Sequence, residues 1–171
     1  MYVVTIDEDQ FDEAHQLATA TMEVFASRPG HYTNSFSSHL RGKVGEIAAT
    51  QVLGEFGISC EPLWRDLSLL SSADVHTPSF RADVKSWSSR YWEELGRCVA
   101  VGQLDKLRDK ADVVVWCQTH HELAVGMRVA VMGWNSLDEV ASAPRLFTGP
   151  KSGRQVENYQ VPVEDVWDLP F

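Results

Sequence analysis

The chain is short of several things that would assign it to a familiar class. It has three cysteines, Cys60, Cys98 and Cys117, an odd number at wide spacing with no CxxC pair. That excludes a disulfide framework and reads as buried, reduced thiols. No apolar run approaches the roughly eighteen residues a membrane helix needs. The opening "MYVVTIDEDQ" has acids where a secretory leader carries bases. A soluble, cytoplasmic protein with no membrane partner is expected. Bases are scarce as well: 15 Lys and Arg stand against 24 Asp and Glu, a net charge of −9. Coating nucleic acid by bulk electrostatics needs clustered Lys and Arg, so any such contact must be local or helped by bound cations. No repeat or low-complexity segment interrupts the chain.

What is present is enough for one core. With 171 residues and 44% hydrophobic content, the whole of 1–171 reads as a single domain. Phe11, Ala14, Leu17, Ala18, Met22 and Phe25 recur at helical spacing, predicting an N-terminal helix over 7–27, with "RPG" at 28–30 as its stop. A polar link leads to a second helical pattern, "LRGKVGEIAATQVLGEFG", which ends at Gly57. Ile58 to Arg65 then reads as a strand, and "SADVHTPSFRADVKSW" (72–87) as a hairpin turning at Thr77-Pro78-Ser79-Phe80.

Val101 to Ala111 suits a helix, and Asp112 to His120 is an almost unbroken apolar, β-branched run, typical of a strand buried on both faces. Met127 to Trp134 is a further strand, followed by a short helix with Asn135 as its cap. The tail from Asn158 adds an edge strand, and Thr148 to Gln155 is a basic loop. The fold class is therefore α/β, a mixed central β-sheet flanked by helices. The core occupies about 40–120, and 127–171 is a C-terminal extension.

The hairpin raises an electrostatic question. Strand side chains alternate between faces, so Arg81, Asp83, Lys85 and Trp87 share one face, with Asp83 and Lys85 roughly 7 Å apart. A turn around Pro78-Ser79 sets Asp74 opposite Asp83, and like charges directly across a sheet repel. A divalent cation is the natural compensator, since Mg²⁺ takes oxygen ligands from one or two carboxylates plus substrate phosphate. On the preceding helix, Val44, Gly45, Ile47, Ala48, Ala49, Val52, Leu53 and Phe56 form a wide apolar arc. Glu46 lies at its edge, able to face the sheet.

Glu46 in "GKVGEIAA", Asp74, and the tripeptide Asp83-Val84-Lys85, followed by a helix with an early Gln103, resemble the PD-(D/E)XK nuclease superfamily. The resemblance runs from about Leu40 to His120 in the order helix, three strands, helix, strand. It implies a restriction-endonuclease-like αβββαβ core and a metal-dependent nuclease acting on phosphodiester bonds of DNA, of phage or prokaryotic kind. It further implies Mg²⁺ or Mn²⁺ held by Glu46, Asp74, Asp83 and the Val84 carbonyl, with Lys85 as the catalytic cation. Arg81, Arg90, Lys43 and Gln103 are the expected nucleic-acid contacts, Gln103 reading equally well as a helix-start residue.

Other readings stand beside this one. Asp83 and Lys85 read as an exposed same-face ion pair on an arbitrary strand, and Glu46 alone reads as a helix-face carboxylate near an N-terminus. Trp87, Tyr91 and Trp92 form either a stacking surface or part of the core. Cys117, His120 and His121 lack the second ligand pair that a structural zinc site needs. The acidic surface leaves room for a second copy or a protein partner. A catalytically degenerate protein acting as a binding or regulatory partner of a nucleic-acid enzyme is the alternative function.

Overall fold

The computed structural model describes residues 1–26, 35–69, 72–148 and 155–170. The expected two-sided strand is β6 (Val113–Thr119), in which Val114, Val115, Trp116 and Cys117 are all but inaccessible to solvent. It pairs in parallel with β4 (Arg81–Ser88) and antiparallel with β7 (Arg128–Ser136). Beyond β7 lies β1 (Tyr2–Thr5). Beyond β4 lie the two-residue strands β3 (Val75–His76) and β2 (Glu61–Pro62), giving the order β1-β7-β6-β4-β3-β2. This is the mixed sheet flanked by helices that the sequence predicts.

Alternation along the strands sorts two cores. On one face, α1 (Glu8–Ala26) and α2 (Phe36–Glu55) bring Ala14, Ala18, Val44, Ala48 and Val52 against Ala82, Val84 and Val115. On the other, Val114 and Trp116 meet Leu104 and Leu107 of α4 (Leu104–Lys110) and Leu137 and Val140 of α5 (Leu137–Ser142). Between β4 and α4 come α3 (Trp92–Leu95) and β5 (Cys98–Ala100). β5 joins β9 (Val156–Gln160) and β8 (Arg145–Thr148) in a second sheet of order β5-β9-β8. Apart from that insertion, α2, β2, β3, β4, α4 and β6 follow the expected helix, three strands, helix, strand. Among the described residues, no helix is long and apolar enough to cross a membrane.

Several local expectations change. The strand foreseen over Ile58 to Arg65 shrinks to Glu61–Pro62, and Leu63–Arg65 is a 3₁₀ turn. Pro62 has no N–H with which to extend a ladder, and Trp64 turns into the helix-side core, donating from Nε1 to Thr50 Oγ1 at 3.2 Å. Helix α2 begins at Phe36, ahead of the predicted Leu40, because Ser35 caps it, its Oγ accepting the Ser38 N–H at 3.3 Å. The α5 cap is Ser136 in a capping box with Glu139. Asn135 is instead buried, its Oδ1 accepting from Trp116 Nε1 at 2.8 Å. The tail strand β9 is the middle strand of its sheet, not an edge. The "RPG" stop and residues 149–154 of the basic loop lie outside the described residues.

Candidate functional site

The hairpin closes as its turn residues dictate. Thr77 Oγ1 donates to the Phe80 carbonyl at 2.8 Å and accepts the Phe80 N–H at 3.0 Å, so the tip is held by one hydroxyl. The register pairs Val75 with Ala82 and His76 with Arg81. The regular pairs stop one step short of the expected Asp74–Asp83 pair. There the ladder continues through a side chain: the Asp74 N–H donates to the Ala82 carbonyl at 3.0 Å, and Asp74 Oδ2 accepts the Val84 N–H at 2.7 Å. The Val84 side chain faces the helix-side core.

Glu46 reaches this region because α2 passes very close to β4. At Gly45 a Cβ would lie 1.7 Å from Ser86 Oγ, so only glycine permits the approach. The next residue, Glu46, is consequently buried, and its Oε2 accepts from Lys43 Nζ at 2.7 Å. Burial pushes the Glu46 carboxyl up to about 7, helped by the Asp74 charge and opposed by Lys43. Asp74 is raised too, first by burial and then by Asp83. The Asp74 charge thus opposes ionisation of Glu46, and the two carboxylates face a shared space, both lining a cavity of about 200 Å³.

Asp83 is differently placed. It is 1% exposed, and its two oxygens are each engaged by an ammonium at 2.5 Å, Oδ2 by Lys85 and Oδ1 by Lys110. Burial alone would raise its pKa, but the attraction of both lysines outweighs it and holds the carboxyl below its ordinary value. Lys85 is held above its ordinary value, its desolvation being overcome by Asp83, Asp74 and Glu46 in that order. The four residues singled out by sequence, Glu46, Asp74, Asp83 and Lys85, are thus within electrostatic reach of one another. Lys110, the last residue of α4, was not foreseen.

Do these residues suit a divalent cation? The donors are hard oxygens, Glu46 and Asp74 repel across one cavity, and Thr21 Oγ1, buried without a hydrogen-bond partner among the described residues, lines the same cavity. Two carboxylates with room for bound water fit Mg²⁺. Asp83 joins them only by exchanging an ammonium. Among the described residues, no three acidic, histidine or cysteine side chains converge closely enough to form a ready-made metal group.

The remaining expected contacts disperse. Lys43 is buried against Glu46 and the Trp64 carbonyl. Arg81 is tied to Asp112 through Nε at 3.1 Å and Nη2 at 2.8 Å. Gln103 is exposed just before α4 and makes no capping bond. Arg90 is exposed beside Tyr91, which is 45% exposed, whereas Trp92 is core. Cys117 lies in the helix-side core, while the His120 and His121 rings meet at a tilt, their centroids 4.3 Å apart. Compared with known protein families, curated proteins and solved structures, the chain matches none of them.

Proposed function

We propose that the chain is a metal-dependent nuclease of the PD-(D/E)XK type that hydrolyses phosphodiester bonds of DNA. The observation that supports this most is the shared electrostatic environment of Glu46 on α2, Asp74 in the bend before β3, and Asp83 and Lys85 on β4. Glu46 and Asp74 would hold Mg²⁺ or Mn²⁺, with Asp83 as the third acid. When bound, such an ion neutralises charge on the phosphate and lowers the pKa of a coordinated water. Lys85 contributes a fixed positive charge beside that position, suited to steadying an attacking hydroxide or a departing oxygen. Asp83 orients Lys85 through their ion pair, and the Val84 N–H fixes the Asp74 carboxylate.

Incubating purified protein with single-stranded, duplex and branched DNA in Mg²⁺ or Mn²⁺ tests this. Cleavage that requires the cation and disappears in Asp83→Asn and Lys85→Met is expected. No cleavage of any substrate, or equal cleavage by both variants, would refute it.

One observation favours a second reading. Both Asp83 oxygens are already matched by lysines, an arrangement that also suits a degenerate site in a binding or regulatory protein. Calorimetry separates the two, because a degenerate site gives no Mg²⁺ or Mn²⁺ binding that depends on Glu46 and Asp74.

A further inference from the structure

The parallel strands β4 and β6 end side by side, with Ser88 level with Thr119. Crevices outside the carboxyl ends of strands are where open α/β sheets take ligands. Here a cavity of about 410 Å³ is walled by Ser38 and Arg41 from α2, Ser86 and Trp87 from β4, and Arg90 and Tyr91 from the turn that follows. No carboxylate among the described residues lines it, on a chain of net charge −9.

Among the described residues its two arginines form no ion pair, and Arg41 is held in place by hydrogen bonds. Arg41 is half-buried, donating from Nη1 to Thr119 Oγ1 and to the His120 carbonyl at 3.0 Å, and from Nη2 to the His121 carbonyl at 3.4 Å. All three acceptors are uncharged, and burial lowers the Arg41 pKa, as it does for a cation without an anion. Arg90 sits 5.6 Å over the exposed Tyr91 ring and forms no ion pair within the described residues. Ser86 Oγ is buried with no hydrogen-bond partner among the described residues. The acid paired with a lining side chain is Glu122, 3.7 Å from His121 Nε2. Trp87 lies on the Lys85 face of β4, about 7 Å along the strand.

We propose that this cavity holds a backbone phosphate of a single-stranded nucleic acid between Arg41 and Arg90, with a neighbouring base stacked on Tyr91. Two guanidinium groups and free hydroxyl capacity suit a phosphate, and an exposed ring beside them suits an unpaired base. The choice of nucleic acid over another phosphate ligand rests on the nuclease reading; the anion pocket does not.

The test uses the full chain in EDTA, where no metal-dependent cleavage can occur. Fluorescence anisotropy would follow a labelled single-stranded oligothymidylate of about twelve nucleotides, with a duplex of equal length and inorganic phosphate as competitors. Tighter binding of the single strand is expected. Arg90→Ala should weaken it about tenfold and lower the salt slope by about 0.7. Tyr91→Ala should weaken it at least about fivefold with little change in slope. Both residues are exposed, so the variants should melt with the parent.

Unchanged affinity in both variants would overturn the proposal. So would inorganic phosphate competing as well as the oligonucleotide does, which would make the pocket an anion site alone. Absence of cleavage with Arg90-dependent binding intact would sink only the nuclease reading. Asp83-dependent cleavage with binding indifferent to Arg90 and Tyr91 would sink only this one.

Discussion

Gly45→Ala puts opposing effects on one atom. In an isolated helix, alanine is favoured over glycine by about 0.8–1 kcal/mol. In this protein the added Cβ would fall 1.7 Å from Ser86 Oγ, 2.9 Å from Ser86 Cβ and 3.5 Å from Cys117 Cβ. Rotating Ser86 relieves the first contact, but the second is to an atom fixed to the backbone of β4. Helix and strand must therefore separate by several tenths of an ångström. Overpacking of this kind costs about 1–3 kcal/mol, and a contact that no rotamer can relieve belongs in the upper part of that range. The net expectation is a loss of about 1–2 kcal/mol, a fall of roughly 3–6 °C in Tm for a chain of this size. Glu46, the next residue, would be drawn away from Asp74, so metal affinity should fall with stability. In a Ser86→Gly background both close contacts vanish and Gly45→Ala should stabilise, giving a coupling energy of about 2–3 kcal/mol. Urea unfolding followed by tryptophan fluorescence measures all four members of the cycle. Stabilisation by Gly45→Ala alone, or additivity within about 0.5 kcal/mol, would refute the close-approach argument.

The charged groups give further expectations. Glu46 is raised from 4.5 to about 7, so its protonated form is the one favoured by folding. The stability it contributes is complete below its unfolded pKa and is lost as pH rises through about 7. The loss is on the order of 3 kcal/mol at most, so in EDTA the parent should lose more stability than Glu46→Gln between pH 5 and pH 8; parallel curves from denaturant titrations would contradict this. Lys110→Met removes the ammonium from Asp83 Oδ1, leaving Lys85 on Oδ2. Mn²⁺ should then bind about tenfold more tightly in calorimetry, an oxygen having been freed for the cation. Unchanged or weaker binding would mean that Lys110 does not compete for that oxygen.

The parts of the fold that the sequence made legible are those governed by local rules. The Thr77-Pro78-Ser79-Phe80 turn set the register that pairs Val75 with Ala82 and His76 with Arg81, and the unbroken run in β6 signalled burial on both faces. Helix α2 was visible from its apolar arc, with Gly57 at φ 74° just past its end. Illegible were the strands whose partners are distant. β1 is four residues paired with β7, β5 and β8 went unread, and the tail strand β9, read as an edge, lies between them. Asn135 was misread as a cap because its true partner, Trp116, lies on another strand.

Lys110 is the instructive omission, because it belongs to no motif, yet topology places it. β4 and β6 are parallel neighbours with Ala82 level with Val113. The residues leading into β6 must therefore pass the start of β4, where Asp83 stands. In a parallel pair, the end of the crossover helix thus returns to the beginning of the first strand. A basic residue in that last helical turn, "LRDK", also interacts favourably with the helix carbonyls there. An acid at the third position of β4 and a lysine three residues before β6 are then neighbours by connectivity, although 27 positions separate Asp83 from Lys110. Strand pairing, more than motif spacing, decides which charges meet at this site.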